Sequence, residues 1–137
     1  MIFPNNPAVY VCTPKQVPTL ATDAHAQQWQ WPKLNQVNKA SLMMAAKSLF
    51  VLPDYFGDNW DALYDALTEQ SWCPYAPNLW VVPLYKASDV DWADMEIFLN
   101  VCQDACDFLA DNGTTLYVQV IATEKQLAHL DDYPSWP

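Results

Sequence analysis

The chain contains no arginine, and its six cations are all lysines among 137 residues. Sixteen acidic residues leave a formal charge of −10 at pH 7. Proteins that bind nucleic acid, or an anionic membrane surface, need a basic footprint. The composition therefore argues against direct binding to either one. It favours a basic protein partner, since net charge of one sign steers association with the opposite sign.

The sequence also lacks an apolar run of transmembrane length. Its first residues, from Met1 to Pro7, lack the basic region and apolar stretch of a signal peptide. We therefore expect a cytoplasmic protein. A hydrophobic content of 52% predicts a folded domain, and this chain length is sufficient for a core without metal or disulfide support.

Residues suited to catalysis are scarce, with two histidines, two glycines and no CxxC pair. A carboxylate pair such as Asp61 and Asp65 suits acid–base chemistry, but no nucleophile with its base, phosphate-cradling glycine loop or arginine accompanies it. Cys102 and Cys106 lie on the apolar stripe of a predicted helix, which favours buried, reduced thiols over a metal site. We expect neither enzyme activity nor a metal or other cofactor.

The most informative stretch runs from Leu52 to Glu69. A helix is predicted from about Asn59 to about Gln70, with Asp58 or Asn59 as its cap. At 100° per residue, one face carries Trp60, Leu63, Ala66 and Leu67. Another face carries Asp58, Asp61, Asp65 and Glu69, and Tyr64 lies on the border between the two.

The acidic face contains two like-charge pairs at i,i+4 spacing, Asp61/Asp65 and Asp65/Glu69. Each pair costs about 0.2–0.5 kcal/mol in an isolated helix. No lysine occurs between Lys47 and Lys86 to offset them. Like-charge repulsion that no nearby cation offsets is typical of a functional surface. The alternative is an ordinary helix face exposed to solvent.

This stretch resembles the barstar family of intracellular ribonuclease inhibitors. The shared pattern is Leu-Pro-acidic-Tyr-aromatic-Gly-acidic-Asn-x-Asp-Ala-Leu-aromatic-Asp-x-Leu-Thr, from Leu52 to Thr68. Outside it the resemblance rests on the order of elements, from about Gln28 to Ile121. The resemblance implies a small three-stranded parallel sheet covered by helices, and a function in blocking a nuclease.

The resemblance also implies a set of partner-binding residues. The family's contact residues fall on Tyr55, Asn59, Asp61, Tyr64, Asp65 and Thr68. Asp65 matches the carboxylate that occupies the nuclease's phosphate site, and Gly57 matches a loop glycine that shapes the helix entry. Glu69 extends the acidic face, so we include it in the predicted binding surface.

Several positions depart from the family pattern. Tyr64 stands where the family has Trp, Phe56 where it has Tyr, and Glu69 where it has Gly. A further contacting Glu has no clear counterpart, because a gapless count back from Gly113 places Phe108 there. Its neighbours Asp104 and Asp107 remain open candidates for that contact.

The remaining chain predicts an α/β architecture. Strands are expected around Trp29 and Trp31 and over Leu79–Val82 and Leu116–Ile121, and these imply a three-stranded parallel sheet packed with helices. A helix is predicted over 38–50. Another is predicted from a cap at Ser88, with Asp91 three residues later, to about Asp111, with Asn112-Gly113 as its left-handed stop. A short C-terminal helix is predicted over 123–130, with Thr123 and Gln126 as a capping box. We divide the chain into an N-terminal arm (1–27), a barstar-like domain (28–121) and a C-terminal extension (122–137).

Two segments leave alternatives open. Residues 8–12 favour a strand, but the prolines around them favour an extended arm with turns. The acidic and aromatic tail over 131–137 suits either a frayed end or a segment that touches a partner.

The predicted function is that of an intracellular inhibitor of a basic, extracellular-type ribonuclease, with the acidic helix as a phosphate mimic. The alternative is an immunity or interaction protein of the same fold. It would neutralise a different basic toxin, such as another nuclease, or a nucleic-acid-binding protein.

Overall fold

The computed structural model describes residues 4–15, 27–50, 59–69 and 78–136. In chain order the elements in this part of the chain are β1 (Val9–Cys12), β2 (Gln27–Gln30), β3 (Gln36–Val37), α1 (Lys39–Phe50), α2 (Trp60–Leu67), β4 (Asn78–Val82), β5 (Asp89–Val90), α3 (Trp92–Asp111), β6 (Leu116–Ile121) and α4 (Glu124–Leu127). A short 3₁₀ turn, Leu84–Lys86, follows β4.

The main sheet has the strand order β1-β6-β4-β2, and all neighbouring strands are parallel. Its two inner strands, β6 and β4, are buried along their whole length. Helices α1, α2 and α3 pack their apolar residues against one face of this sheet and form the main core. The predicted α/β architecture with a parallel sheet is therefore confirmed.

The sheet has one strand more than the three predicted. β1 comes from the predicted N-terminal arm and pairs with β6, with Val9 opposite Val118 and Cys12 opposite Ile121. The prolines that favoured an extended arm lie outside the paired residues, so none of them removes a ladder hydrogen bond. The division of the chain at residues 27 and 121 stays a prediction.

β2 lies at the opposite edge of the sheet and ends two residues before Pro32, which has no backbone N–H to donate. The Trp31 backbone N–H still donates to the Val81 carbonyl oxygen at 2.9 Å. The Trp31 ring is 1% exposed, and its centroid lies 5.2 Å from that of Phe98 and 5.6 Å from that of Trp80. This aromatic cluster joins β2 and β4 to α3.

A second, two-stranded sheet pairs β3 with β5 and brings the starts of α1 and α3 together. Asn38 accepts a hydrogen bond from the Ser41 N–H at 2.9 Å, and Asp91 accepts one from the Asp94 N–H at 3.1 Å, so these residues cap the two helices. The predicted cap at Ser88 is wrong, because β5 separates Ser88 from the start of α3. Asp94 then accepts from the Lys39 N–H at 2.8 Å. A side chain in the first turn of α3 thus hydrogen-bonds to the first residue of α1.

α3 buries the apolar stripe that its sequence predicts. Every member is 0% exposed: Met95, Phe98, Leu99, Cys102, Ala105, Cys106 and Leu109. Burial, with neighbouring Cys106, raises the pKa of Cys102, and burial also raises the pKa of Cys106. These thiols therefore stay protonated at neutral pH, as expected for core residues. The predicted helix stop is also confirmed, because Gly113 has φ +83°, which glycine adopts without strain.

The tail is anchored up to residue 136, so the frayed-end interpretation is wrong. The Val11 N–H donates to the Pro134 carbonyl oxygen at 2.9 Å, and the Trp136 N–H donates to the Val11 carbonyl oxygen at 2.8 Å. Trp136 is 3% exposed and contacts Tyr10 and Tyr117 edge-on, at centroid distances of 5.5 and 5.9 Å. The tail therefore covers the face of the sheet that lies opposite the helices.

α4 begins with the capping box expected from its sequence. The Thr123 hydroxyl oxygen accepts from the Gln126 N–H, and the Gln126 side chain accepts from the Thr123 N–H. The helix is shorter than the predicted 123–130 and ends at Leu127.

Leu63→Ala tests the orientation of α2, because Leu63 is 0% exposed in the core. We expect a loss of about 2–5 kcal/mol in the free energy of unfolding, from lost burial and the remaining cavity. Urea denaturation measures it. Met44→Ala is the control, since Met44 is 72% exposed on α1 and its loss should change stability by about 0.5 kcal/mol or less. Equal stability of the two variants would contradict the buried face of α2.

Trp136→Ala tests the anchored tail. We expect a loss of about 3–5 kcal/mol in the free energy of unfolding, because a large buried ring is removed. Amide hydrogen exchange gives a local readout, since the Val11 N–H loses its partner Pro134 when the tail detaches. Ser135→Ala is the matched control at an exposed neighbour. Undiminished protection of Val11 in Trp136→Ala would show that the ring does not hold the tail.

Candidate protein-binding surface

Asn59 fixes the start of α2. Its backbone is extended, with φ −140° and ψ 164°, and its side-chain oxygen accepts from the Ala62 N–H at 2.7 Å. Of the two predicted caps, Asn59 caps α2, and Asp58 lies outside the described residues. Asp61 in the first turn faces the positive end of the helix dipole, which stabilises the helix.

Thr68 fixes the end of α2. Its hydroxyl donates to the Tyr64 carbonyl oxygen at 2.8 Å, and its backbone N–H donates to the same oxygen at 3.0 Å. The helix therefore runs from Trp60 to Leu67, slightly shorter than predicted. This hydroxyl closes the helix end, a role that the sequence interpretation of Thr68 as a partner contact did not include.

α2 separates an apolar face from an acidic one, as its periodicity predicts. Leu63 and Leu67 are 0% exposed in the core. The carboxylates of Asp61, Asp65 and Glu69 are on exposed residues of the other side. An eight-residue helix held by buried leucines thus presents its carboxylates from a fixed backbone.

A groove of about 560 Å³ lies between α2 and α3. We call it the α2/α3 groove. Its lining residues are Trp60, Asp61, Tyr64, Val101, Asp104, Asp107, Phe108 and Asp111. Four of these eight residues are aspartates and none is a lysine, so the groove is a strongly negative surface.

Three aromatic residues line the groove, and Trp60, which was predicted on the apolar face of α2, is one of them and is half-buried. The rings of the other two are in contact. Tyr64 of α2 and Phe108 of α3 have ring centroids 6.5 Å apart with an interplanar angle of 71°, an edge-to-face arrangement. Tyr64 is half-buried, and Phe108 is 41% exposed. The groove therefore combines an open aromatic surface with carboxylates.

The structure groups some of the predicted binding residues and separates others. Asp61 and Tyr64 line the groove together with both open candidates of α3, Asp104 and Asp107. Asp65 lies outside the lining on the exposed side of α2.

Other predicted residues are also distributed around the groove rather than in it. Glu69 is exposed just beyond the end of α2, and Asn59 and Thr68 mark the two ends of the helix. Tyr55 and Gly57 lie outside the described residues.

One orienting contact in the groove was not anticipated. The Gln103 side-chain amide donates to an Asp107 carboxylate oxygen at 3.1 Å, and the Gln103 carbonyl oxygen accepts from the Val9 N–H at 3.0 Å. A groove carboxylate is thus linked to the backbone of β1. Asp111 was also missed as a groove residue, although its i,i+3 and i,i+4 spacing from Phe108 and Asp107 was a visible signal.

Among the described residues, no three or more histidine, cysteine, aspartate or glutamate side chains are grouped to hold a metal ion. None of the described helices combines the length and apolarity needed to cross a bilayer.

Comparison with known protein families identifies a match. The model of the family described as Barstar (barnase inhibitor) matches residues 34–121, which include α2, the groove and β6. No curated protein matches the chain. The match covers more than half of the chain, and its description is that of an inhibitor family rather than an enzyme family. The chain belongs to the barstar family.

Proposed function

We propose that this protein inhibits a basic ribonuclease by covering its active site with α2 and the α2/α3 groove. The observation that carries the proposal is the exposure of Asp61 and Asp65 on a helix whose opposite face is locked in the core. In a family of barnase inhibitors, such a surface is the natural counterpart of a cationic nuclease site.

In this proposal a carboxylate takes the place of a substrate phosphate. A ribonuclease holds the phosphodiester with cationic groups, and Arg binds carboxylate and phosphate with the same bidentate geometry. Asp65 is the proposed central carboxylate. Because its helix is packed by Leu63 and Leu67, the carboxylate loses little backbone freedom on binding, which lowers the entropic cost of association.

The proposed interface keeps the full predicted set of partner-binding residues. These residues are Tyr55, Gly57, Asn59, Asp61, Tyr64, Asp65, Thr68 and Glu69. Two of the three groove aspartates of α3, Asp104 and Asp107, were the open candidates for a further contact, and both join the proposal. Tyr64 contributes a rigid ring with a polar tip, a residue type that often anchors protein interfaces.

A second target class is favoured by one observation. Phe108, at the position counted as a contacting Glu of the family, is exposed in the groove, and Tyr64 replaces a family Trp. An altered surface on the same fold suits a different basic nuclease, toxin or nucleic-acid-binding protein. An inhibition assay with a barnase-type ribonuclease separates the two, and a lack of inhibition would favour the second class.

Asp65→Asn tests the phosphate-mimic role. In an RNA-cleavage assay with a barnase-type ribonuclease, we expect the variant to lose about 2–5 kcal/mol of binding free energy, because a cationic partner group is left unpaired. The barnase–barstar pair is itself the reference case for this range, so the magnitude is carried over from the family. Unfolding free energy should change by about 0.5 kcal/mol or less, since Asp65 is exposed and the substitution relieves the like-charge pair Asp61/Asp65 of α2.

Asp131→Asn is the matched control for Asp65→Asn. It removes the same charge from an exposed residue of the C-terminal segment, away from the groove lining. Its inhibition constant should stay close to that of the unchanged protein. If both substitutions weaken inhibition equally, the effect is one of net charge, and Asp65 has no special role.

The rate of association gives an independent test. Stopped-flow mixing with the same ribonuclease should show an association rate constant that falls steeply with ionic strength, because salt screens the attraction between opposite charges. The dissociation rate constant should change much less. Asp61→Asn/Asp65→Asn should flatten the salt dependence. An association rate that is independent of salt would argue against electrostatic recognition by this face.

A further inference from the structure

A second cleft lies at the carboxyl ends of three parallel strands, β2, β4 and β6. Its volume is about 360 Å³, which is in the range of small-molecule sites. Gln30, Val81 and Ile121 line it from the ends of these strands. We call it the carboxyl-end cleft. It shares no lining residue with the α2/α3 groove, so the two are separate surfaces.

The charge of this cleft is opposite to that of the α2/α3 groove. Lys33 and Lys86 both line it, and none of the described residues in its lining is acidic. The whole chain has only six lysines and sixteen acidic residues, so two lysines in one cleft reverse the prevailing sign of the charge locally. Two ammonium groups with no carboxylate in the same lining favour an anionic ligand.

The position of the cleft also favours a ligand. In open α/β sheets, ligands bind outside the carboxyl ends of the parallel strands, where the segments that follow the strands come together. Here the segment after β2 contributes Lys33, and the segment after β4 contributes Tyr85 and Lys86. The two lysines are far apart in sequence, and the parallel pairing of β2 with β4 brings their segments to the same end of the sheet.

The turn that carries Lys86 is held in place by its own hydrogen bonds. The Lys86 N–H donates to the Pro83 carbonyl oxygen at 3.2 Å, and the Gln126 side-chain amide donates to the Leu84 carbonyl oxygen at 3.0 Å. The Lys86 ammonium lies 5.6 Å from the centroid of the Tyr85 ring, within the range of a cation–π contact. The charge is therefore presented from an ordered backbone and beside an aromatic wall.

Apolar side chains form another part of the lining. Val81 is 8% exposed and Ile121 is 2% exposed, and both belong to the apolar cluster on the tail-covered face of the sheet. The Trp31 N–H donates to the Val81 carbonyl oxygen, which fixes the chain two residues before Lys33. A ligand that fills this cleft therefore needs an apolar body as well as a negative charge.

We infer that the carboxyl-end cleft binds a small phosphate monoester with an apolar body, and that Lys33 and Lys86 together hold its phosphate group. A phosphate monoester carries about −1.5 to −2 charges at pH 7, which matches two ammonium groups. A carboxylate carries a single charge and would leave one lysine without a counter-charge. This site is independent of the proposed inhibition of a nuclease, because it lies outside the α2/α3 groove.

Four small probes test the inference on the full-length protein: phenyl phosphate, benzoate, phenol and inorganic phosphate. Titration at an ionic strength of about 0.15 M limits repulsion by the net charge of −10, because charges are screened over about 8 Å. Backbone amide resonances in ¹H–¹⁵N NMR spectra report binding. We expect phenyl phosphate to shift the resonances of Lys33, Tyr85 and Lys86.

The relative affinities identify the ligand class. Phenyl phosphate should bind about fivefold more tightly than benzoate, because it interacts with a second ammonium group. It should also bind more tightly than inorganic phosphate, which has no apolar body. Phenol lacks the charge and should leave the three resonances unchanged.

Substitutions of single lysines locate the site. Lys33→Gln and Lys86→Gln should each weaken the binding of phenyl phosphate by about three- to fivefold, and the double variant should weaken it further. Both lysines are exposed, so the fold should be retained. Lys47→Gln is the matched control, because it removes the same charge from α1, outside the cleft lining, and should leave the affinity unchanged.

Any of four results would overturn the inference. The first is a lack of shifts at the three cleft residues with phenyl phosphate, and the second is equal or tighter binding of benzoate, phenol or inorganic phosphate. The third is unchanged affinity in the double variant Lys33→Gln/Lys86→Gln. The fourth is equal weakening by Lys47→Gln, because net charge alone would then explain the binding.

Discussion

The packing of α2 against α3 and the core is the interaction on which the binding surface depends. Full burial of a leucine stabilises a fold by about 1.5–3 kcal/mol, and Leu63 and Leu67 are both completely buried. The like-charge pair on α2, Asp61/Asp65, costs only about 0.2–0.5 kcal/mol. The apolar contact therefore outweighs the repulsion, and it holds a set of mutually repelling carboxylates in place for a partner to neutralise.

Features encoded by local periodicity were predictable from the sequence. The acidic and apolar faces of α2 follow from its helical spacing, and the buried stripe of α3 follows from the same rule. The capping box of Thr123 and Gln126 and the left-handed Gly113 also followed from residue type at a given position. Each of these depends on residues within one or two turns of one another.

Features that depend on distant contacts were not predictable in this way. The strand β1 is short and flanked by prolines, and it forms because β6 offers it a parallel edge. The tail is ordered because Trp136 fits beside Tyr10 and Tyr117, which come from two different strands. The α2/α3 groove likewise depends on the relative position of two helices, so the sequence predicted its α2 wall and left the contribution of α3 open.

The hydrogen bonds between β1 and the C-terminal tail determine how far the chain can be shortened in a recombinant fragment. A fragment trimmed to the family-matched residues 34–121 would lack β1, β2 and Trp136. Its strand β6 would become an unpaired edge, which is a template for edge-to-edge aggregation. The loss of Trp136 would also expose Tyr117 and Ile121. The same cut would remove the β1 backbone group that holds Gln103, so the loss would also reach a carboxylate of the binding groove.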